Sequence, residues 1–317
     1  MSITLAQLRS FLAVARTGSV TAAAEQLVVT QPSVSAAVAA LSEELGVGLT
    51  EKAGRNIRLT PAGEAFALYA SHVLGLLEEG RIAAREAMES AARHVRIAAV
   101  TTAAEFLVPP LMRAFGAAHS GIELSLEVGN KQRMFQRVLD HAADVVIGGS
   151  PPGDGRLVGE PFLQNDIVLI LPPGDELTQH RSLSWEKLAE RTWLLREEGS
   201  GTRALVENLM AQHGLRPRTL TLGSNGAIKH AVRTGLGISL QSRIAVDLEL
   251  EAGLLGTARL RGLPARDWHV LWNPVGPLRP PVRMFLDFVR SADAVRAIEI
   301  SHRGEPPQPP LTAALVE

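Results

Sequence analysis

Apolar positions in the first fifty residues recur at helical spacing in three successive blocks. Leu5, Leu8, Phe11, Leu12 and Ala15 share one face of a helix predicted over Thr4–Arg16, which Gly18 ends. Ala22, Ala23 and Leu27 give a shorter helix, Val20–Gln26, a small apolar face that another helix can approach closely. Val34, Val38, Leu41 and Leu45 follow at intervals of four, three and four, the stripe of a third helix opening at Gln31-Pro32. Pro32 suits a first helical turn, where its missing N–H is no loss, and Thr30 is placed to cap. Away from the stripe lie Ser33, Ser35, Ala36 and Ala37, small enough to approach a groove. Two short helices joined by a tight turn describe either a helix-turn-helix that reads DNA or an ordinary hairpin in a core.

After Gly46 the pattern shortens. Gly48–Thr50 and Ile57–Thr60 read as extended segments around the polar turn Glu51–Asn56, a small hairpin of the kind that follows a recognition helix as a wing. Arg55 at its tip is placed either to reach a phosphate or the minor groove, or to sit in solvent. Thr60-Pro61 then opens a helix that runs to about Ser90. Ala62, Phe66, Tyr69, Val73, Leu76, Gly80, Ala83 and Ala87 are spaced four-three along it, the seam of a coiled coil. A helix of about 45 Å cannot bury that seam on the small domain before it. The same helix of a second chain is the leading partner, with the following domain as the other.

From His94 the pattern alternates between strands and helices. His94–Val100, Ile122–Gly129 and Asp144–Gly149 read as strands, with helices over Glu105–Ala118 and Lys131–His141. This βαβαβ order implies a parallel sheet covered by helices. Ile167–Leu171 begins a second unit of strands (Thr192–Glu197, Leu220–Ser224, Gly237–Ser242) and helices (Leu183–Arg191, Ser200–His213, Asn225–Thr234). Asp267–Asn273 is a late strand and Pro281–Ser291 the last helix. The expected organisation is α/β with an N-terminal winged helix-turn-helix. Residues 1–60 form that DNA-binding domain and 61–90 a long dimerising linker helix. Residues 94–292 form a two-lobed module, lobe I about 94–166 with 268–292 and lobe II about 167–267, and 293–317 a disordered tail. Such a module holds a ligand at the strand C-terminal ends between its lobes.

Composition narrows this picture. The chain has 317 residues, 46% of them hydrophobic, which suits a globular protein of two or three domains. It has no cysteine, so disulfides and cysteine-ligated metals are excluded and a reducing compartment is expected. No stretch has the length of a membrane span and the N-terminus has no signal-peptide pattern, so a cytoplasmic protein is expected. The nine histidines are scattered without an HExxH pattern, so neither a metal nor another cofactor, nor an enzyme, is expected. Net charge is −1, and residues 1–60 hold five basic against four acidic side chains, a balance of only +1. Binding to DNA would therefore draw on two copies and on well-aimed contacts.

At this point the chain resembles the LysR-type transcriptional regulators of bacteria, over residues 4 to about 292. The resemblance is carried by Leu8–Ala15, by Ser19-Val20 with Ala22-Ala23-Ala24 and Leu27, and by Thr30-Gln31-Pro32-Ser33-Val34-Ser35. Leu41, Glu44-Leu45-Gly46 and Leu59-Thr60-Pro61-Ala62-Gly63 continue it. It implies a winged helix-turn-helix, a long dimerising helix, a periplasmic-binding-protein-like effector domain, and a regulatory role. The partners implied are an inverted-repeat operator in double-stranded DNA, a small effector, a second copy of the chain (with pairs of dimers forming tetramers), and RNA polymerase. The rival reading is a cytoplasmic small-molecule-binding protein or enzyme on the same two-lobed module, which leaves residues 1–90 without a purpose.

The residues expected at the DNA are Thr21, Thr30, Gln31, Pro32, Ser33, Ser35, Lys52 and Arg55. Gln31 suits a bidentate contact to adenine, Pro32 a thymine methyl, Ser33 and Ser35 bases or phosphates, and Thr21 a phosphate. Two departures from the family pattern stand out. The wing reads Leu49-Thr50-Glu51-Lys52, without the usual aromatic and with lysine for arginine, and Ala36 replaces the usual basic residue of the recognition helix. At the effector site, Thr101 and Thr102 follow a strand, and Ser200, Gly201 and Thr202 open a helix across the cleft, where hydroxyls and free N–H groups suit an anion. Ser150 and Asn225 close the corresponding strand ends, and all of these side chains equally suit helix capping. The Arg196–Arg203 and Leu222–Lys229 stretches look most like family members that govern sulfur assimilation or carbon fixation.

Overall fold

The computed structural model describes residues 3–54, 56–88 and 93–302. The chain divides into two compact units, residues 1–90 with 139–142, and residues 91–138 with 143–317.

In the first unit, α1 (Leu5–Thr17) opens with a capping box in which the Thr4 hydroxyl accepts from the Gln7 N–H, and the Gln7 side chain accepts from the Thr4 N–H. Helix α2 (Val20–Leu27) is capped by Ser19, and α3 (Gln31–Leu45) by Thr30, with Gly46 ending it in the left-handed region. Phe11, Val34, Leu41 and Leu49 are fully buried where these helices meet. The helix-turn-helix reading of Ser19–Gly46 therefore displaces the core-hairpin alternative, because Gln31–Ser33 and Ser35 face outward while the stripe alone is covered.

The wing is longer-stranded than expected. β1 (Thr50–Ala53) and β2 (Asn56–Leu59) pair antiparallel, so Glu51, Lys52 and Ala53 lie in a strand and not in a turn. An ion pair between Glu51 and Arg58 at 2.7 Å, directly opposite in the ladder, supports this register. Arg55 lies outside the described residues.

Helix α4 (Pro61–Met88) begins against the wing. The Thr60 hydroxyl accepts from the Gly63 N–H and donates to the Gly48 carbonyl. A Cβ at Gly63 would stand 2.0 Å from the Leu49 carbonyl oxygen, so only glycine permits this approach. The expected single seam divides in two. Phe66, with Ala70 and Leu74, packs into the core of this unit, its ring centroid 5.7 Å from that of Phe11. Tyr69, Val73 and Leu77 form an exposed apolar stripe.

In the second unit, β3 (Arg93–Val100), α5 (Thr101–Phe106), α6 (Val108–Ala118), β4 (Ile122–Gly129), α7 (Lys131–Leu139) and β5 (Val145–Gly148) realise the βαβαβ order. The expected helix over Glu105–Ala118 breaks at Leu107. Pro109 and Pro110 have no N–H to give to Glu105 and Phe106 four residues back, which separates α5 from α6. β6 (Val158–Gln164), which the pattern did not single out, closes a five-stranded sheet in the order β4-β3-β5-β12-β6, where β12 is Asp267–Trp272. β3 runs parallel to β4 and β5, and β12 runs antiparallel to β5 and β6.

Lobe II holds β7 (Ile167–Leu171), β8 (Trp193–Leu195), α8 (Gly201–Gln212), β9 (Thr219–Thr221), α9 (Asn225–Arg233), β10 (Ser239–Ser242), α10 (Asp247–Glu251) and β11 (Gly256–Ala258). Its sheets are β10-β7-β11 and β8-β9, joined by a parallel bridge from Trp193 to Ile238. The expected helix over Leu183–Arg191 is a single 3-10 turn, Trp185–Leu188, because Leu183 bridges to Leu260 as extended chain. Trp185 stacks on both Trp193 and His213 in this lobe's core.

After α11 (Pro280–Val289), residues expected to be a disordered tail form α12 (Ala292–His302). Ala294, Ala297 and Ile298 fall at helical spacing and are buried, Ala294 and Ile298 in the core of lobe I, which gives the helix its reason to form. The remainder of that expectation, residues 303–317, lies outside the described residues.

Candidate functional site

The first unit presents Thr21, Thr30, Gln31, Pro32, Ser33 and Ser35 as exposed residues at the N-terminal ends of α2 and α3. Thr30 and Ser33 are partly committed to each other: their hydroxyl oxygens lie 2.7 Å apart, and Thr30 Oγ1 accepts from the Ser33 N–H at 3.4 Å. Gln31, Ser35 and Thr21 are free to meet a ligand. Helix α3 carries no basic side chain. Lys52 is exposed on β1, and Arg58 beside it is engaged with Glu51. The surface has the geometry of a groove reader, and the groups it exposes at the start of α3 are amide, hydroxyl and small apolar side chains.

The second unit holds an open cavity of about 500 Å³ between its two lobes. Val100, Thr101 and Thr102 enter it after β3, Asn130 and Lys131 after β4, and Gly149 after β5, so the C-terminal ends of three parallel strands feed one site. Arg196, Ser200, Gly201 and Thr202 face them from lobe II, and Asn165, Ser242, Arg266 and Trp268 complete the lining.

No carboxylate lines this cavity, and its cations differ in how they are held. Arg196 grips Glu197 through two nitrogens at 2.8 and 2.9 Å. Among the described residues Lys131 has no acidic partner; its Nζ donates to the Ser150 carbonyl at 3.3 Å and stands over the Phe135 ring at 4.9 Å. Arg266 likewise has no ion pair among the described residues. Burial and the charge of Arg266 push the Lys131 ammonium below its ordinary value, and burial does the same to Arg266. Two half-buried positive charges that repel one another, with no carboxylate among the described lining residues, form a site suited to an anionic ligand.

Hydroxyls and helix ends add to this. Ser200 stands at the N-cap of α8 yet makes no capping bond, and both Ser200 and Thr102 are 7% exposed. The first N–H groups of α8 and its dipole favour negative charge at the same place. Gly199, at φ +81°, brings the loop so close that a Cβ would meet Asn130 Nδ2 at 2.8 Å. That amide donates to the Glu198 carbonyl at 3.1 Å and ties the lobes together.

The cavity thus gathers Thr101, Thr102, Ser200, Gly201 and Thr202 of the expected set. Two others are placed differently. Ser150 takes part through its carbonyl on Lys131, and Asn225 is buried outside the lining in a hydrogen-bond network of its own. Lys131, Arg266 and Asn130 were not anticipated. Asn130 and Lys131 directly follow a strand end, a position that could have exposed them, whereas Arg266 is brought in only by the antiparallel return of β12. Among the described residues no cluster suits a metal ion, and no helix is long and apolar enough to cross a membrane.

A winged helix-turn-helix in the same chain as a two-lobed, ligand-accepting α/β unit defines an effector-responsive DNA-binding protein. Residues 5–64 match the family model of the bacterial regulatory helix-turn-helix protein, lysR family, and residues 88–294 that of the LysR substrate binding domain. The chain belongs to the LysR-type transcriptional regulators. It is 37% identical over 296 residues to the RuBisCO operon transcriptional regulator of Allochromatium vinosum, covering 93% of this chain and 98% of that one. The regulatory domain of CcmR from Synechocystis PCC6803, solved in complex with 2-PG, is 33% identical with a TM-score of 0.59, covering 62% of this chain and 95% of that one. A full-length OxyR from Pseudomonas aeruginosa is 25% identical with a TM-score of 0.64, covering 94% and 98%.

Proposed function

We propose that this regulator binds an inverted-repeat operator as a cytoplasmic homodimer, assembled further into a tetramer, and that a small phosphorylated carboxylate in the lobe cavity sets its action there. The observation that carries the effector part is the pair Lys131 and Arg266, two cations without a carboxylate in a cavity that also offers Thr102, Ser200 and the α8 N-terminus. The CcmR domain was solved with 2-PG, and that relative supports 2-phosphoglycolate as the first compound to try. The RuBisCO operon regulator among the relatives supports carbon-fixation genes as the regulated set.

At the operator, Gln31, Pro32 and Ser35 act on base edges. Thr21, Thr30, Ser33, Lys52 and Arg55 act on or beside the backbone. The exposed stripe Tyr69, Val73 and Leu77 supports pairing of α4 with its counterpart in a second chain. The metabolite is bound without turnover, and the bound regulator acts on RNA polymerase at the promoter. Titration calorimetry of the full chain with 2-phosphoglycolate, glycolate and a neutral sugar tests the effector class. Saturable heat with the first and none with the others is expected; binding of the neutral sugar alone would refute the anionic assignment. Sequencing of DNA captured by the protein tests the operator and the gene set together.

A further inference from the structure

Asn225 is 2% exposed, and its carboxamide meets three groups whose chemistry allows one arrangement. Its Oδ1 accepts from Arg196 Nη1. Its Nδ2 donates to Glu105 Oε2 at 3.0 Å and to Thr102 Oγ1 at 3.1 Å. A guanidinium has no acceptor, so the amide cannot be turned over without setting donor against donor. Arg196 is itself aimed at Asn225 by its two-nitrogen grip on Glu197. A single chain of bonds therefore runs from Glu197 through Arg196 and Asn225 in lobe II to Thr102 and Glu105 in lobe I.

The consequence falls on Thr102. Its oxygen accepts from Asn225, so its own proton remains to be given, and the hydroxyl makes no other hydrogen bond among the described residues. Thr102 is 7% exposed and lines the cavity. We propose that Asn225 is a positioning residue that fixes the polarity of the Thr102 hydroxyl, so that the cavity meets its ligand with an O–H donor, as an anion requires. The inference rests on reading the cavity as an anion site, and it adds selectivity against ligands that present an N–H at that point.

A charge-neutral exchange tests it. In the double variant Glu105→Gln/Asn225→Asp the net charge is unchanged. The new carboxylate still accepts from Arg196 and now accepts from the new amide at position 105. It has no N–H for Thr102, which must donate to it and turn only lone pairs toward the cavity. Titration of the full chain with sodium sulfate and with 2-phosphoglycolate should show binding about 10-fold weaker than wild type, the effect of one hydrogen bond to a charged group. Adding Thr102→Val to the exchanged protein should weaken binding no further, which a merely structural role for Asn225 would not produce. Wild-type affinity in the exchanged protein overturns the proposal. Should that protein fail to fold, Thr102→Val alone serves: about 10-fold weaker binding supports the donor role, and unchanged binding overturns it. A wild-type chain that binds neither anion would remove the anion reading and this inference together, whereas wild-type binding with no effect of the exchange removes the inference alone.

Discussion

Two groups of cations in the effector unit are treated in opposite ways by the fold. Arg96 and Arg279 converge on Asp144, a side chain only 3% exposed, at 2.6 and 2.9 Å. Lys131 and Arg266 share the cavity, and among the described residues no carboxylate pairs with either of them. The first group finds its counter-charge within the lobe. The second is left incomplete and is costly to the folded chain until a ligand arrives. The two groups differ not in sign but in whether a carboxylate stands beside them. The reading head proposed for DNA offers a third treatment, since α3 has no cation at all.

The largest effect is expected where the complete group is broken. Asp144→Asn leaves two arginines facing each other and should cost about 3–5 kcal/mol in urea unfolding. Burial alone would raise the Asp144 carboxyl, but the hydrogen bonds and charge of Arg96 and the charge of Arg279 hold it below the ordinary value. A carboxyl depressed in the folded state stabilises above its unfolded value. The difference between wild type and variant should therefore persist at neutral pH, begin to shrink below about pH 4, and vanish only as the folded value is passed.

Removing a member of the incomplete group should do the reverse. Arg266→Met is expected to weaken 2-phosphoglycolate binding about 30-fold, some 2 kcal/mol, by calorimetry. Its melting temperature should stay level or rise, because Lys131 loses a repelling neighbour. A fall in stability comparable to that of the Asp144 variant would erase the distinction between the two groups.

Smaller effects sharpen the contrast with the reading head. Gln31→Ala should weaken operator binding about 10-fold while leaving nonspecific DNA binding within about 2-fold, as measured by gel shift. Ala36→Arg introduces the charge that α3 lacks. It should raise affinity for any DNA a few-fold and steepen the salt dependence by about one unit of log K against log salt. A flat salt response would mean that this turn of α3 does not approach a phosphate.

Local patterns were the part of this molecule that the sequence made legible. The stripe Val34, Val38, Leu41 and Leu45, the cap Thr30, and the run around Thr60-Pro61 act within a turn or two, and the structure follows them closely. What escaped depends on partners distant in sequence. Phe66 looked like part of an intermolecular seam because nothing local says that Phe11 waits for it. Leu183 lay in an apparent helix because its bridge to Leu260 is invisible until lobe II is assembled. The cavity divides in the same way: Thr101, Thr102, Ser200 and Thr202 stand at helix openings and were foreseen, while Ser242 and Arg266 arrive by chain returns. Asn225 was foreseen as a residue of the site, but its neighbours Arg196, Thr102 and Glu105 come from two lobes and give it a different task.

Trp268 gives the cavity an optical signature. Trp268 is one of the lining residues, whereas Trp185 and Trp193 are stacked on each other in the core of lobe II and the fourth tryptophan, Trp272, lies half-buried further along β12, outside the lining. A ligand that enters changes the surroundings of one emitter and leaves the stacked pair as an internal standard. Occupancy of this regulator is therefore written into its own ultraviolet emission, readable without a label and at protein concentrations low enough to follow effector and operator in the same cuvette.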